Sequence, residues 1–232
     1  MFYLGLDDVT VTPVPRLKQR TTELRERGVS CALALIADQG VAGLTTRTVA
    51  RCADASVPAI YEVFGDKAGL VREVFFEGFR MLGDDLRAAP TTADPIEDLE
   101  RCCDIFRQFV TTNMVLAEIM FTRPFVDFDP STEDNQIGLS VSKAFVQRAR
   151  AAIDTGVLEG DATDIAHVFF AFVQGMAAAE NAKRLGGSKR SVDRRWRLGL
   201  TALIDGFRPA PLAVSLGTRR RSTESSRGPR QS

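Results

Sequence analysis

Two side chains near residue 60 are suited to hold a phosphate group. Tyr61 carries a hydroxyl that can donate a hydrogen bond to a phosphate oxygen, and Lys67 can add a charge-assisted contact. Ile60 and Phe64, four positions apart, share an inward face that holds the segment against the rest of the chain. The combination indicates a short helix that is anchored from behind and offers a polar edge to a nucleic acid.

This segment lies in a pair of short predicted helices. Thr45 can cap a helix that extends to about Cys52. Ser56 can cap a second one, and Pro58 falls in its first turn, where a missing N–H costs nothing. The three-residue turn 53–55 between them fits a helix-turn-helix. A helix of about 10–12 Å diameter fits the major groove of B-DNA, so the second helix could present its polar edge to the bases.

The composition is that of an ordinary globular chain. Of 232 residues, 44% are apolar and 26% are charged, and the formal net charge is zero. Residues 16–80 contain ten Lys and Arg against eight Asp and Glu, whereas residues 81–206 contain fourteen against nineteen. The slight excess of positive charge in residues 16–80 permits contact with DNA, and the excess of negative charge in residues 81–206 disfavours it. No apolar run approaches the roughly 20 residues of a membrane span, so we expect no membrane contact.

Apolar residues recur at spacings of three and four along the chain, and no alternating pattern of useful length appears. We therefore predict an all-α fold, with an N-terminal three-helix helix-turn-helix domain and a larger C-terminal helical domain. The predicted division is a flexible arm 1–15, the helix-turn-helix domain 16–65, the helical domain 66–208 and a disordered basic tail 209–232.

The front of the chain resembles a known family. From Ala32 to Phe75, a small-apolar helix ends at Gly40, the pattern Thr-x-Arg-x-x-Ala follows, and Ser56 precedes the run Tyr-x-x-Phe-x-x-Lys-x-x-Leu that begins at Tyr61. In order and spacing this stretch resembles the DNA-binding domain of the tetracycline-repressor (TetR) family. The segments HVFFAFVQGMAAAE and RRWRLGLTALIDGF are similar to the last two helices of one effector-domain subgroup. The resemblance implies a dimeric transcriptional regulator, a repressor that a small apolar effector releases from its operator.

The same resemblance implies which residues contact DNA. The start of the second helix would hold phosphate through Thr45, Thr46 and Arg47. The third helix would present to the duplex Ser56, Val57, Pro58, Ala59, Tyr61 and Glu62, with Lys67 following it.

Some positions depart from the family's pattern. Asp54 replaces the usual glycine of the turn, although Asp tolerates a left-handed backbone better than most residues. Glu62 and Val63 stand where relatives often carry Arg or His. Glu62 would repel a phosphate or accept a hydrogen bond from cytosine N4.

Aromatic residues concentrated behind the front domain predict an apolar effector pocket with a few polar groups. The residues assigned to it are Phe106, Phe109, Asn113, Phe121, Phe125, Phe145, His167, Phe170 and Gln174. For any single phenylalanine, and for His167, an ordinary place in the core is the alternative.

Excess apolar surface on the last two helices predicts a dimer interface, in which small residues permit close helix approach. The residues assigned to it are Ala171, Gly175, Ala178, Trp196, Leu200 and Leu203. The alternative is that both stripes are buried within one chain. We favour a homodimer because two DNA half-sites need two reading helices.

The sequence lacks the motifs of the enzyme classes that a helical chain could belong to. The chain has one His, so the paired Glu-x-x-His units of a di-iron bundle cannot form, and neither a Gly-rich phosphate loop nor a Gly-x-Ser-x-Gly elbow occurs. We therefore predict no enzyme, no catalytic residue, no metal and no cofactor. A helical small-molecule sensor or adaptor that no longer binds DNA specifically is the alternative, favoured by Glu62 and the modest charge of the front.

The four cysteines, Cys31, Cys52, Cys102 and Cys103, lack metal-type spacing. We predict reduced, mostly buried thiols in a cytoplasmic protein. The expected partners are a double-stranded DNA operator, a small-molecule effector and a second copy of the chain.

Overall fold

The structure is a computed structural model that describes residues 16–121 and 132–210. These residues form nine α-helices: α1 (Arg16–Gly43), α2 (Thr46–Cys52), α3 (Val57–Phe64), α4 (Lys67–Ala88), α5 (Pro95–Thr112), α6 (Met114–Phe121), α7 (Thr132–Asp154), α8 (Ala162–Asn181) and α9 (Lys189–Gly206). The predicted all-α class is confirmed. The arm 1–15, Phe125 and the tail from residue 211 onward lie outside the described residues, and the division into 16–65 and 66–208 stays a prediction.

Local caps set the boundaries of the first helices. Thr45 caps α2, Ser56 caps α3, and Asp66 caps α4 by accepting a hydrogen bond of 2.9 Å from the backbone N–H of Gly69. The sequence predicted that α1 would end at Gly40. The backbone there has φ 68° and ψ −174°, so the helix bends at this glycine before a last turn.

Helix α4 joins the front of the molecule to the rest. Its buried face includes Leu70, Val74, Phe79, Leu82 and Leu86. Two glycines on it allow close packing. A Cβ atom at Gly78 would lie 2.5 Å from Sδ of Met120 in α6, and one at Gly83 would lie 2.6 Å from Oγ of Ser140 in α7. Helix α4 is therefore held between α6 and α7.

Helices α5, α7 and α8 form the core of the C-terminal part, where Phe106, Phe145 and Phe169 have no exposed surface. The sequence offers Asp161 or Thr163 as the start of α8, and in the structure Asp161 caps it. The helical pattern predicts a last helix from Ser191, but Ser188 is its cap and α9 begins at Lys189.

By length and composition, α8 is long and apolar enough to cross a membrane, which corrects the expectation that no apolar run approaches that length. This is weak support for a membrane span, because core helices of soluble proteins pass the same test. Ile165, Phe169 and Val173 on α8 are fully buried within the chain.

The prediction of four reduced thiols is wrong for one pair. Cys31 of α1 and Cys52 of α2 form a disulfide with their Cα atoms 5.8 Å apart. Cys102 and Cys103 are free and buried, as predicted. Burial raises the pKa of the Cys102 thiol to about 11 and that of Cys103 well above its ordinary value.

Candidate nucleic-acid interface and effector cavity

Helix α3 is anchored on one side and open on the other. Ile60 has no exposed surface and Phe64 is only 6% exposed, whereas Tyr61 between them is 50% exposed. The hydroxyl oxygen of Ser56 accepts a hydrogen bond of 3.3 Å from the backbone N–H of Ala59, and Gly65 ends the helix with φ 75°. The helix is short because a cap begins it and a left-handed glycine ends it within two turns.

The open side of α3 carries the residues assigned to base contact. Ser56, Pro58 and Glu62 are exposed together with Tyr61, while Val57 and Ala59 are half-buried at its margin. Of the part of the chain that the structure describes, nothing covers this edge. An aromatic hydroxyl, a serine hydroxyl and a carboxylate are thus accessible along one short helix. The two hydroxyls can donate to phosphate, and the carboxylate can accept from a base edge.

The start of α2 brings hydroxyl groups to the same end of the molecule. Thr45 and Thr48 form a reciprocal cap: the Thr48 N–H donates to the Thr45 hydroxyl at 3.1 Å, and the Thr45 N–H donates to the Thr48 hydroxyl at 3.0 Å. Arg47 is exposed and Thr46 is half-buried. The first turn of a helix favours an anion, so this cap suits a phosphate contact.

The turn between α2 and α3 has the backbone that the sequence predicted. Asp54 adopts φ 49°, in the left-handed region that Asp tolerates. Lys67 is exposed in the first turn of α4. Arg51, exposed in the last turn of α2, adds a cation that the sequence reading missed. Its position one turn after Arg47 on a predicted helix was the available signal.

One arginine ties α3 to its neighbours. Arg25 of α1 forms an ion pair with Glu73 of α4, donates a hydrogen bond of 3.3 Å to the carbonyl oxygen of Val63, and lies 5.9 Å above the ring centre of Phe64. Helices α1, α3 and α4 therefore move together or break these contacts.

A cavity of about 740 Å³ opens between α5, α6 and α8. Phe106, Phe121 and Gln174, all assigned to the effector pocket from the sequence, line it. The lining residues that the sequence reading did not assign to any site are Val110, Met114, Val115, Ala117, Glu118, Asn181 and Ala182. The side-chain amide of Asn181 donates to the carbonyl oxygen of Val110 at 3.3 Å. A mostly apolar wall with a few polar groups suits a small organic ligand.

The other predicted pocket residues do not join this cavity. Phe109 and Asn113 line a second cavity of about 410 Å³, against α4. His167 and Phe170 line a third of about 520 Å³, between α7 and α8, and Nδ1 of His167 lies 2.7 Å from the carbonyl oxygen of Thr163. Phe145 lies fully in the core, which is the alternative left open for any single phenylalanine.

Two parts of the chain match models of one family. Residues 29–74 match the family described as "Bacterial regulatory proteins, tetR family", and residues 99–203 match "Tetracyclin repressor-like, C-terminal domain". The two matched ranges together span more than half of the sequence. The first includes α2 and α3, and the second includes α6 and α8, which line the cavity of about 740 Å³. The chain belongs to the tetracycline-repressor (TetR) family.

Solved structures with the same fold include several regulators. A protein of unknown function from Rhodococcus sp. RHA1 is 23% identical with a TM-score of 0.71, covering 80% of this chain and 96% of that one. A possible TetR family transcriptional regulator from Streptomyces coelicolor A3(2) is 20% identical with a TM-score of 0.57, covering 78% and 97%. The fatty acid degradation regulator FadR from Bacillus halodurans is 14% identical with a TM-score of 0.61, covering 83% and 96%. No curated protein matches the chain by sequence.

In this TetR-family chain a series of packed helices leads from the cavity to α3. Helix α6 lines the cavity with Val115, Glu118 and Phe121. Two residues on its other side, Leu116 and Met120, pack on Gly78 of α4. Helix α6 thus contacts both the cavity and α4, and α4 is tied to α3 through Arg25.

The residues assigned to a dimer interface divide into two groups. Ala171, Gly175 and Ala178 are exposed on α8, where all three also line the 740 Å³ cavity. Trp196 and Leu200 are 2% and 6% exposed, so within this TetR-family chain they pack inward and offer little surface to a second copy. Leu203 is half-buried. Val168 of α8 and Leu198 of α9 are 40% and 69% exposed. The sequence analysis did not include these two residues in the predicted dimer interface.

An ion network holds α9 against the other helices. Arg107 of α5 donates to both carboxylate oxygens of Glu180, at 2.8 and 2.9 Å, and to Asp193 at 2.7 Å. The indole N–H of Trp196 donates to the same Glu180 at 2.6 Å. The hydrogen bond to Glu180 is the main cause that raises the pKa of Arg107. Trp196 is thus a structural anchor of α9.

Proposed function

We propose that this TetR-family chain is a homodimeric repressor whose affinity for a double-stranded operator falls when a small apolar effector binds. The observation that carries the proposal is the asymmetry of α3, where Ile60 and Phe64 are buried while Ser56, Tyr61 and Glu62 are exposed. A helix in this arrangement can enter the major groove without losing its support. As a regulator of chromosomal genes the protein would act in the cytoplasm.

The effector site would be the cavity of about 740 Å³. Its volume lies within the roughly 300–1,000 Å³ typical of small-molecule sites. Phe106, Val110 and Phe121 supply apolar wall, and Gln174 and Asn181 supply amides that can orient a polar group of the ligand. A compact, largely apolar molecule with one hydrogen-bonding end fits this lining.

Release from DNA would follow because α6 both lines the cavity and packs on α4. A ligand between α6 and α8 favours a position of α6 that presses on Gly78, and α4 responds because the contact there is already close. The ion pair between Arg25 and Glu73 passes the shift to α1 and α3. A ligand that prefers the shifted state by a few kcal/mol would change operator occupancy tenfold or more.

Two reading helices are needed for an operator with two half-sites, which lie about 34–36 Å apart on one face of the duplex. The exposed apolar residues of α8 and α9, among them Val168, Ala171, Gly175 and Leu198, offer a surface for a two-fold contact between copies. Trp196 and Leu200 would support that surface from inside.

A sensor that no longer binds DNA specifically is the second candidate. Glu62 favours it, because this carboxylate is exposed on the edge that would face the duplex. Repulsion between Glu62 and a phosphate would weaken affinity for all sequences, whereas a hydrogen bond to cytosine N4 would add specificity.

The deciding experiment is recovery of the genomic DNA bound by the full chain, followed by affinity measurement on the recovered fragment. We expect specific binding that weakens with salt, and an affinity that drops when a ligand of the cavity is added. Arg47→Ala should weaken binding to every sequence, and Arg197→Ala, an exposed arginine on α9, is the matched control. Affinity equal to that for unrelated DNA at every salt concentration would support the sensor instead.

A further inference from the structure

The disulfide between Cys31 and Cys52 lies at the joint of the helix-turn-helix. Cys52 is the last residue of α2, and the turn through Ala53 and Asp54 leads from it to α3. Cys31 lies in the middle of α1. The bond therefore fixes the end of α2 from which the chain departs toward the reading helix.

The pair is open to reagents from solution. Cys52 is exposed and Cys31 is half-buried, and a cavity of about 520 Å³ opens onto both. Arg27, Ser30, Ala53 and Asp54 complete the lining of this cavity.

The remaining two cysteines provide a contrast within the same chain. Cys102 and Cys103 have no exposed surface, and burial raises the pKa of both thiols. Cys102 and Cys103 are core residues whose thiols do not react with reagents in solution while the protein is folded. Reactivity with a soluble oxidant or reductant is thus confined by the structure to Cys31 and Cys52.

We infer that Cys31 and Cys52 form a reversible redox site, closed by a peroxide and opened by a dithiol, and that the closed form binds DNA more tightly. The statement about DNA rests on the proposed function. The statement about the disulfide does not.

The chemistry balances with these two reagents. One thiolate attacks a peroxide oxygen and becomes a sulfenic acid while hydrogen peroxide is reduced to water; the second thiolate then attacks the sulfenic sulfur, and a second water leaves. In reverse, a dithiol thiolate attacks one sulfur of the disulfide and releases the other as a thiolate. Its second thiol resolves the mixed disulfide, so that the dithiol is oxidised and both cysteines are reduced.

Tighter binding by the closed form follows from what else holds the end of α2. Arg27 reaches the carbonyl oxygen of Ala53 at 3.4 Å, which is long for a hydrogen bond. Ala53 is buried, and the backbone N–H groups of Ala53 and Ala55 donate to the carbonyl oxygens of Val49 and Ala50 at 2.8 and 2.9 Å. These hydrogen bonds hold the turn on α2 itself, whereas the disulfide is the covalent link from the end of α2 to α1. When the disulfide is open, the turn that leads to α3 is less restrained. Helix α3 then loses more conformational freedom on binding DNA than it does in the oxidised protein, and this cost weakens binding by the reduced form.

The first measurement is peptide mapping of the full chain after peroxide and after dithiothreitol. After each treatment the reagent is removed, the protein is denatured, and all free thiols are then blocked by N-ethylmaleimide. Trypsin separates the cysteines, since Cys31 falls in 28–47, Cys52 in 52–67 and the buried pair in 102–107. We expect a 28–47/52–67 crosslink after peroxide that disappears with dithiothreitol, while 102–107 carries two blocked thiols in both cases. Absence of the crosslink, or a crosslink that dithiothreitol does not open in the folded protein, overturns the inference.

The second measurement is affinity for the recovered genomic fragment in both redox states. We expect the dissociation constant of the oxidised protein to be lower by about fivefold or more, the lower end of typical coupling between linked sites. Equal affinities, or tighter binding by the reduced protein, contradict the inference. The comparison uses one unmutated chain, and equal helix content of the two redox states by circular dichroism shows that loss of binding is not due to unfolding.

Variants separate this pair from the others. Cys52→Ser should bind like the reduced protein and ignore peroxide, and Cys102→Ala should keep the full response. A Cys52→Ser protein that still responds to peroxide would overturn the inference. If neither state binds DNA while the crosslink opens and closes, the proposed function and the DNA part of this inference fail together, and the redox site stands.

Discussion

The ring of Phe64 packs directly on the backbone of Gly28: a Cβ atom at Gly28 would lie 2.6 Å from Cζ of that ring. Phe64 is the residue that supports α3 from behind, and it cannot retreat because it is buried. The close approach of α1 and α3 thus depends on the absence of a side chain at one position.

Gly28→Ala should therefore destabilise the reading domain. We expect a loss of about 1–3 kcal/mol in the free energy of unfolding, typical of an overpacked core, and weaker operator binding. Denaturant titration measures the first and a gel shift the second. Gly187→Ala is the control, because a Cβ atom there meets nothing within 4 Å. Equal stabilities of the two variants would contradict the packing argument.

Gly78→Ala should imitate the effector. The added methyl group presses against Met120 and Leu116 of α6 and so displaces α4 from α6. This is the displacement of α4 that a ligand pressing α6 onto Gly78 is proposed to cause. We expect lower operator affinity without ligand and a smaller further drop when ligand is added. Gly138→Ala on α7, where a Cβ atom meets nothing, should behave like the unchanged protein. Normal affinity of the Gly78 variant would argue against α6 as the element that moves α4.

Glu62→Gln should strengthen binding to DNA of any sequence if the carboxylate faces phosphate, because a repulsive charge is removed. Removal of one negative charge near the phosphates lets the protein displace about one more counterion. The slope of the logarithm of affinity against the logarithm of salt concentration should therefore steepen by roughly one. Glu159→Gln, an exposed charge before α8, is the distant control. Weaker, less specific binding by the Glu62 variant would instead indicate a hydrogen bond to cytosine.

Glu180→Ala should loosen α9. The change leaves Arg107 and the indole N–H of Trp196 without their shared acceptor. We expect a loss of about 2–4 kcal/mol in the free energy of unfolding, near the lower end for a partly buried pair, and a weaker dimer in sedimentation. Arg208→Ala breaks the exposed pair with Asp205 and should cost less than about 1 kcal/mol. Similar losses in both variants would show that the network does not anchor α9.

Glu100→Gln should stabilise the protein at neutral pH. Burial, and then the neighbouring Asp104, Asp94 and Glu97, raise the pKa of Glu100 above its ordinary 4.5 in the folded chain, so its charged form is disfavoured there. At a pH below 4.5 the Glu100 carboxyl is protonated in the folded and in the unfolded chain, so the stability advantage of the Gln variant disappears.

Asp161→Ala should show the opposite pH dependence. Hydrogen bonds from the backbone N–H groups of Asp164 and Thr163 lower the pKa of Asp161. Its contribution to stability is present above the ordinary 3.8 and is lost as the pH falls through the folded value. The variant should therefore be less stable than the unchanged protein at neutral pH, and the difference should shrink in acid. Thermal unfolding between pH 3 and 8 tests both residues, and parallel curves for the two variants would refute the assignment of opposite shifts.

The reading domain could be predicted from sequence because its determinants are local. Thr45, Ser56 and Asp66 cap their helices within three residues of themselves, and Asp54 sets the turn by its own backbone preference. Ile60 and Phe64 follow from the helical period alone. The structure places these residues as the sequence predicted.

The cavity could not be predicted in the same way. A phenylalanine at helical spacing is apolar whether it fills the core, like Phe145, or borders a space, like Phe121, and only the packing of three helices distinguishes them. The disulfide had the same obstacle, since Cys31 and Cys52 are 21 residues apart and meet only through the angle between α1 and α2.

Ala171, Gly175 and Ala178 border the effector cavity and also lie on the face proposed for a second copy of the chain. In the repressor proposed above, a ligand in the cavity and a second copy on this face would contact the same three residues, so ligand binding and self-association would be linked by mass action. The dose of effector that relieves repression would then vary with the number of regulator molecules in the cell. A regulator built this way retunes its own sensitivity whenever its synthesis rate changes.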